Sequence, residues 1–132
     1  MNTIQQALTA YLKINDYPCI DLKSVLFDMD GVLYNSMPNH TRAWAKTMQA
    51  HGLNMTEEEA YLHEGRTGDD TINIISRREG KEIGPEERIA IYQDKTVVFN
   101  EYPTVLPMTD SEKMLQQVIA KGLFVMLVTG LA

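Results

Sequence analysis

Apolar positions along the chain change their period several times, and each change marks an element. From Thr3 to about Asn15, Ile4, Ala7, Leu8, Tyr11, Leu12 and Ile14 recur at near-helical spacing. They predict a short amphipathic leader helix with Thr3 available as its cap. After a turn at Asp16-Tyr17-Pro18, the stretch Lys23 to Met29 carries Val25, Leu26 and Phe27 in an unbroken apolar run. That is the pattern of a strand buried on both faces of a parallel sheet. A helix is predicted from Met37 to His51, with Pro38 in its first turn and Gly52 as its stop. Thr56-Glu57-Glu58-Glu59 reads as a capping box opening a second helix, which Gly65 to Gly68 breaks. A third runs from about Asp69 to Glu79 on Ile72, Ile74 and Ile75, and a fourth from Pro85 to about Asn100. Pro103 and Pro107 mark a return, since each proline biases its predecessor out of the helical region. A helix from about Thr109 to Lys121 follows, ended by Gly122, and then the apolar run Leu123 to Val128, a second strand ending at Thr129-Gly130. Strand, helical insertion, crossover helix, strand is an α/β plan.

Composition narrows the classes. A chain of 132 residues, 44% apolar and 23% charged, suits a globular domain, and buries roughly two thirds of its unfolded surface. Its formal charge of −6 argues against nucleic acid as a partner, because a phosphate backbone is held by surplus Lys and Arg. No stretch approaches the ~18 apolar residues of a membrane span. The single cysteine, Cys19, cannot form an intrachain disulfide, so the expected setting is the reducing cytoplasm. The eight methionines are scattered, as core filling requires.

The chemistry concentrates where the first strand ends. Phe27-Asp28-Met29-Asp30-Gly31-Val32-Leu33 delivers two carboxylates, two residues apart, to the end of a buried strand, where parallel sheets bind ligands. Alternation sends Asp28 and Asp30 to the same side, where they repel unless a cation or a phosphoryl group separates their roles. Gly31 lets the backbone turn away sharply.

These residues resemble the first motif of the haloacid dehalogenase superfamily. The continuation through Ser36, His40, Arg42, Ala43 and Trp44 is similar to its β-phosphoglucomutase-like branch of sugar-phosphate mutases and phosphatases. The resemblance implies a Rossmann-like α/β core, of which only the first two parallel strands are present, with an inserted α-helical cap. The implied division is a leader at 1–22, partial core at 23–35 and 105–132, and cap at 36–104. It implies further that Asp28 is the nucleophile forming an aspartyl-phosphate and that Asp30 is the acid/base. Mg²⁺ would be held by Asp28 and the Asp30 main-chain carbonyl, both hard oxygen donors. Thr129 and Gly130 resemble the second motif, which binds the transferring phosphoryl group. His40 resembles the branch's hinge-region histidine, assisting proton transfer from Asp30, and Ser36 joins the phosphate-binding set.

In the cap, Gly65-Arg66-Thr67-Gly68 reads as a substrate-specificity loop with Arg66 reaching a second phosphate or sugar hydroxyls, or as a plain exposed turn. Lys95 reads as a basic residue facing the cleft or as a solvated helix lysine. Trp44 reads as cap core ahead of a sugar platform, and Arg77-Arg78 and Glu57-Glu58-Glu59 as solvated helix faces. Asn35 stands where many relatives have aspartate, which removes a charge near the site entrance.

The implied third motif, a lysine, and fourth, an acidic pair completing the Mg²⁺ site, would lie beyond residue 132. The expectation is therefore an incomplete N-terminal part, inactive by itself and prone to self-association through exposed strands. Two functions stay open: phosphoryl transfer on a small sugar phosphate, as phosphatase or mutase, and an inactive binding or interaction module.

Overall fold

The computed structural model describes residues 3–130. A helix α1 (Thr3–Ile14) precedes strand β1 (Ser24–Phe27). Four helices follow: α2 (Met37–Ala50), α3 (Glu57–Leu62), α4 (Gly68–Arg78) and α5 (Pro85–Asn100). Helix α6 (Ser111–Ala120) then leads into β2 (Phe124–Leu127). The two strands pair in parallel, Ser24 opposite Phe124 through Phe27 opposite Leu127, with α6 as the crossover that parallel pairing requires.

Local chemistry accounts for most of the boundaries. Pro38 and Pro85 stand in the first turns of α2 and α5, where their missing N–H costs nothing. The Thr56 hydroxyl accepts the Glu59 N–H at 3.1 Å, but only this half of the expected capping box forms. The Glu59 carboxylate turns instead to Arg78. Helix α4 begins at Gly68, one residue before the predicted Asp69, and is capped by the Thr67 hydroxyl, which accepts the Asp70 N–H at 3.1 Å. Thr3 lies inside α1 rather than ahead of it.

The core sits in the helical insertion. Met48, Leu53, Met55, Ala60, Ile72, Ile75 and Ile91 form one buried cluster, with Trp44, Ile83 and Tyr92 packed against it. Arg78 is no plain solvated face: it holds Glu59, Glu79 and the Asn54 carbonyl, tying the end of α4 to the start of α3. The chain enters and leaves this insertion side by side. The Asn35 N–H donates to the Leu106 carbonyl at 2.9 Å and the Met108 N–H to the Leu33 carbonyl at 2.8 Å.

The strands differ from their sequence pattern. Of β1 only Phe27 is buried, while Leu26 is 61% and Phe124 63% exposed. Two strands flanked by α6 provide too little cover for side chains patterned to be buried on both faces.

Candidate active site

Asp28 follows β1 directly, exposed, with its own Oδ1 accepting the Met29 N–H at 2.7 Å. The chain then folds back on itself. The Met29 carbonyl accepts both the Leu33 and Tyr34 N–H groups at 3.0 Å, and Gly31 takes φ +72°, the left-handed region that glycine enters without strain. This tight turn sets Asp30 beside the entrance to α2. The Ser36 hydroxyl donates to Asp30 Oδ1 at 2.5 Å, and His40 Nε2 lies 3.5 Å from the same oxygen. No hydrogen bond reaches Asp30 Oδ2 among the described residues. Asp28 and Asp30 line one cavity of about 340 Å³ between the strand ends and the helices.

The opposite wall is built by α2 and α5. Lys95 is only 4% exposed, and its Nζ lies 2.9 Å from His40 Nδ1. The rings of Trp44, Tyr92 and Phe99 surround the ammonium at 5.4 to 5.5 Å, and each attracts a cation through its quadrupole. Phe99 also stacks on His40, with ring centres 4.3 Å apart. Burial pulls the Lys95 pKa down to about 8, against the opposing pull of Asp30. His40 is pushed below its ordinary value by burial first and by the Lys95 charge second, with Asp30 pulling upward. A neutral His40 accepts from the Lys95 ammonium at Nδ1, which leaves the proton on Nε2, facing Asp30. Lys95, His40 and Asp30 thus form one polar chain reaching from the helices to the strand end.

The other predicted residues fall around this chain. Gly130, beyond β2, and Arg66, exposed between α3 and α4, line the same cavity. Thr129 is half-buried next to Gly130 but is not among the lining residues. Ser36 is buried and acts on the cavity through Asp30. Trp44 packs against the core and also lines the cavity. Sequence reasoning missed His63 and Glu64, which line the wall next to Arg66, and the ring cage around Lys95. The cage had a signal: Tyr92, Lys95 and Phe99 are spaced by three and four, one face of a helix.

For a divalent ion the fit is partial. Asp28 and the Asp30 carbonyl are oxygen donors of the kind Mg²⁺ takes, but among the described residues no three acidic, His or Cys side chains cluster as a metal site.

Paired carboxylates at a strand end, beneath a helical insertion carrying a buried lysine, define the class. A model of haloacid dehalogenase-like hydrolases matches residues 22–130, and the chain belongs to that family. Among solved structures, it is 50% identical to one from Bacteroides vulgatus described as a "putative beta-phosphoglucomutase", with TM-score 0.89 over 96% of this chain and 53% of that one. The chain therefore spans about half the length of that relative. The β-phosphoglucomutase of Clostridium difficile shares the fold at 20% identity and TM-score 0.68, covering 81% of this chain and 51% of that one. CbbY from Rhodobacter sphaeroides, solved in complex with xylulose-(1,5)bisphosphate, shares it at 20% identity and TM-score 0.65, covering 85% and 52%. No curated protein matches the chain. Among the described residues no helix is long and apolar enough to cross a membrane.

Proposed function

We propose that this chain carries the nucleophile, the acid/base and the cap of a Mg²⁺-dependent phosphotransferase acting on a small sugar phosphate. The observation that carries this reading is the shared cavity. Asp28 stands in it as an exposed carboxylate, while Asp30 stands two residues on, oriented by Ser36 and His40.

In the first step an Asp28 oxygen attacks phosphorus, the bond from phosphorus to the ester oxygen breaks, and Asp30 gives its proton to the departing oxygen. In the second, Asp30 takes a proton from the incoming water or hydroxyl, whose oxygen attacks phosphorus and releases Asp28. Both steps depend mainly on positioning and charge neutralisation. Mg²⁺ held by Asp28 and the Asp30 carbonyl would supply charge compensation between carboxylate and phosphate. Gly130 offers backbone that a phosphoryl group can approach closely, with Thr129 beside it as a hydroxyl donor. Residues 36–104 act as the cap, excluding stray water from the aspartyl-phosphate. His40 holds Asp30 in place through its Nε2 proton, and the Lys95 ammonium keeps His40 in the required tautomer. The free thiol of Cys19 suits a cytoplasmic setting.

The test is Mg²⁺-dependent phosphate release from a panel of hexose and pentose phosphates, with Asp28→Asn as control. Release by the wild-type chain that drops at least about a hundredfold in Asp28→Asn supports the nucleophile. Measurable release, from this chain or from one extended to the relatives' length, that is equal with and without Asp28→Asn overturns it.

A further inference from the structure

His40 has to meet two partners at once from two edges of one ring. Its Nδ1 lies 2.9 Å from Lys95 Nζ on α5, and its Nε2 lies 3.5 Å from Asp30 Oδ1 in the loop after β1. Both contacts run in the plane of the imidazole, so they form together only while that plane is held. A histidine does not hold it alone, because rotation about its terminal side-chain bond is broad. The separation from Asp30 is too long to fix the ring from that end.

The remaining constraint acts on the face of the ring. Phe99 lies over it, with ring centres 4.3 Å apart and planes inclined by 25°. Lys95 and Phe99 are four residues apart on one face of α5, so the helix that supplies the ammonium supplies the stacking surface as well. Just beyond Phe99 the chain is clamped to α2 twice. Asn39 Nδ2 donates to the Pro103 carbonyl at 3.0 Å, and Lys46 Nζ donates to Glu101 Oε2 at 2.9 Å. Stacking fixes the plane but not its sense, since a half-turn keeps the plane and puts carbon where each nitrogen was. Lys95 settles the sense, because carbon cannot accept its proton.

We infer that Phe99 is a positioning residue for the acid/base, holding His40 in the plane from which Nε2 faces Asp30. The inference rests on the phosphoryl-transfer reading for the role of Asp30, and Phe99 itself is not among the residues lining the cavity. Positioning differs from core filling in its chemistry. Any apolar side chain of similar size fills the space, whereas a flat ring is needed to hold a plane.

The experiment compares the wild-type 132-residue chain with Phe99→Leu, Phe99→Met and Phe99→Tyr. NMR shifts of the His40 ring nitrogens near neutral pH report which nitrogen carries the proton. The wild type and Phe99→Tyr are expected to show one protonated and one bare nitrogen. Phe99→Leu and Phe99→Met should bring the two shifts together as the ring samples other planes. His51, paired with Asp94 between the same two helices, is the control, its signals unmoved in a variant that keeps the fold. Phe99→Met, unbranched and adaptable, fills the space where Phe99→Leu disturbs it. Phosphate release, from this chain or from one extended to the relatives' length, should fall roughly fivefold in kcat with KM unchanged in both nonplanar variants, the weight of one aromatic stack. It should recover in Phe99→Tyr. His40 nitrogens that stay distinct in both nonplanar variants overturn the inference, and so does a loss in Phe99→Tyr equal to theirs. Neither result touches the phosphoryl-transfer reading, which stands or falls on Asp28→Asn.

Discussion

Lys95 is the residue whose environment departs furthest from its ordinary state. An ammonium is buried among three rings, next to a histidine that burial keeps neutral. Because its folded pKa is about 8 and its ordinary value 10.5, the unfolded chain binds more protons than the folded one between those limits. Stability therefore rises with pH across that window, as the folded protein is relieved of a buried charge. Lys95→Met should lose this rise and gain about 1 kcal/mol near neutral pH, the usual sign when a buried charge gives way to a side chain of similar volume. Thermal melts of both proteins across the window decide it, and parallel curves would show that the ammonium is not held in a dry environment. The same substitution should lower any phosphate release, so the lysine would serve the site at a cost to the fold.

At the scale of elements, the cavity depends on how closely α4 meets α5. Gly68 opens α4, and a side-chain carbon there would stand 2.1 Å from the Tyr92 ring, far inside contact distance. Tyr92 is one of the three rings around Lys95. The glycine is therefore required for close approach rather than for an unusual turn. Gly68→Ala should cost about 1–3 kcal/mol, the usual range for overpacking. In a Tyr92→Ala background, where the obstructing ring is gone, the same change should cost much less. A double-mutant cycle by denaturant unfolding measures the difference, and additive costs would mean that the two residues do not meet.

For the whole molecule the unbalanced feature is the sheet. Leu26, Phe124, Met126 and Leu127 are all exposed on a two-stranded ladder, and such apolar strands invite pairing with other chains. The 132-residue chain is expected to sediment as oligomers whose proportion grows with concentration. Met126→Lys should shift that distribution toward monomer. A wild-type monomer at all concentrations would mean that these strands are covered in solution.

Much of this was legible from sequence because it is local. Phe27-Asp28-Met29-Asp30-Gly31 states a buried strand, two acids and a turn within seven residues of Leu33, and Pro38, Thr56 and Pro85 mark helix starts by chemistry within one turn. Lys95 was different. Its sequence neighbours, Asp94 and Thr96, are exposed and polar, so nothing local separates a solvated helix lysine from a buried one. Only the packing of α5 against α2, which brings His40 from 55 residues away and Trp44 beside it, decides its charge state and its place in the cavity. Glu64 was silent for the same reason, since its nearness to Gly31 exists only once the insertion folds back over the strand end. By itself, then, the sequence determined the elements, their order and the acidic pair, because those follow from period and from neighbours within a turn. Which distant side chains share one cavity, and so which charges oppose each other there, was decided by tertiary structure alone, because burial and charge proximity are properties of three-dimensional contact.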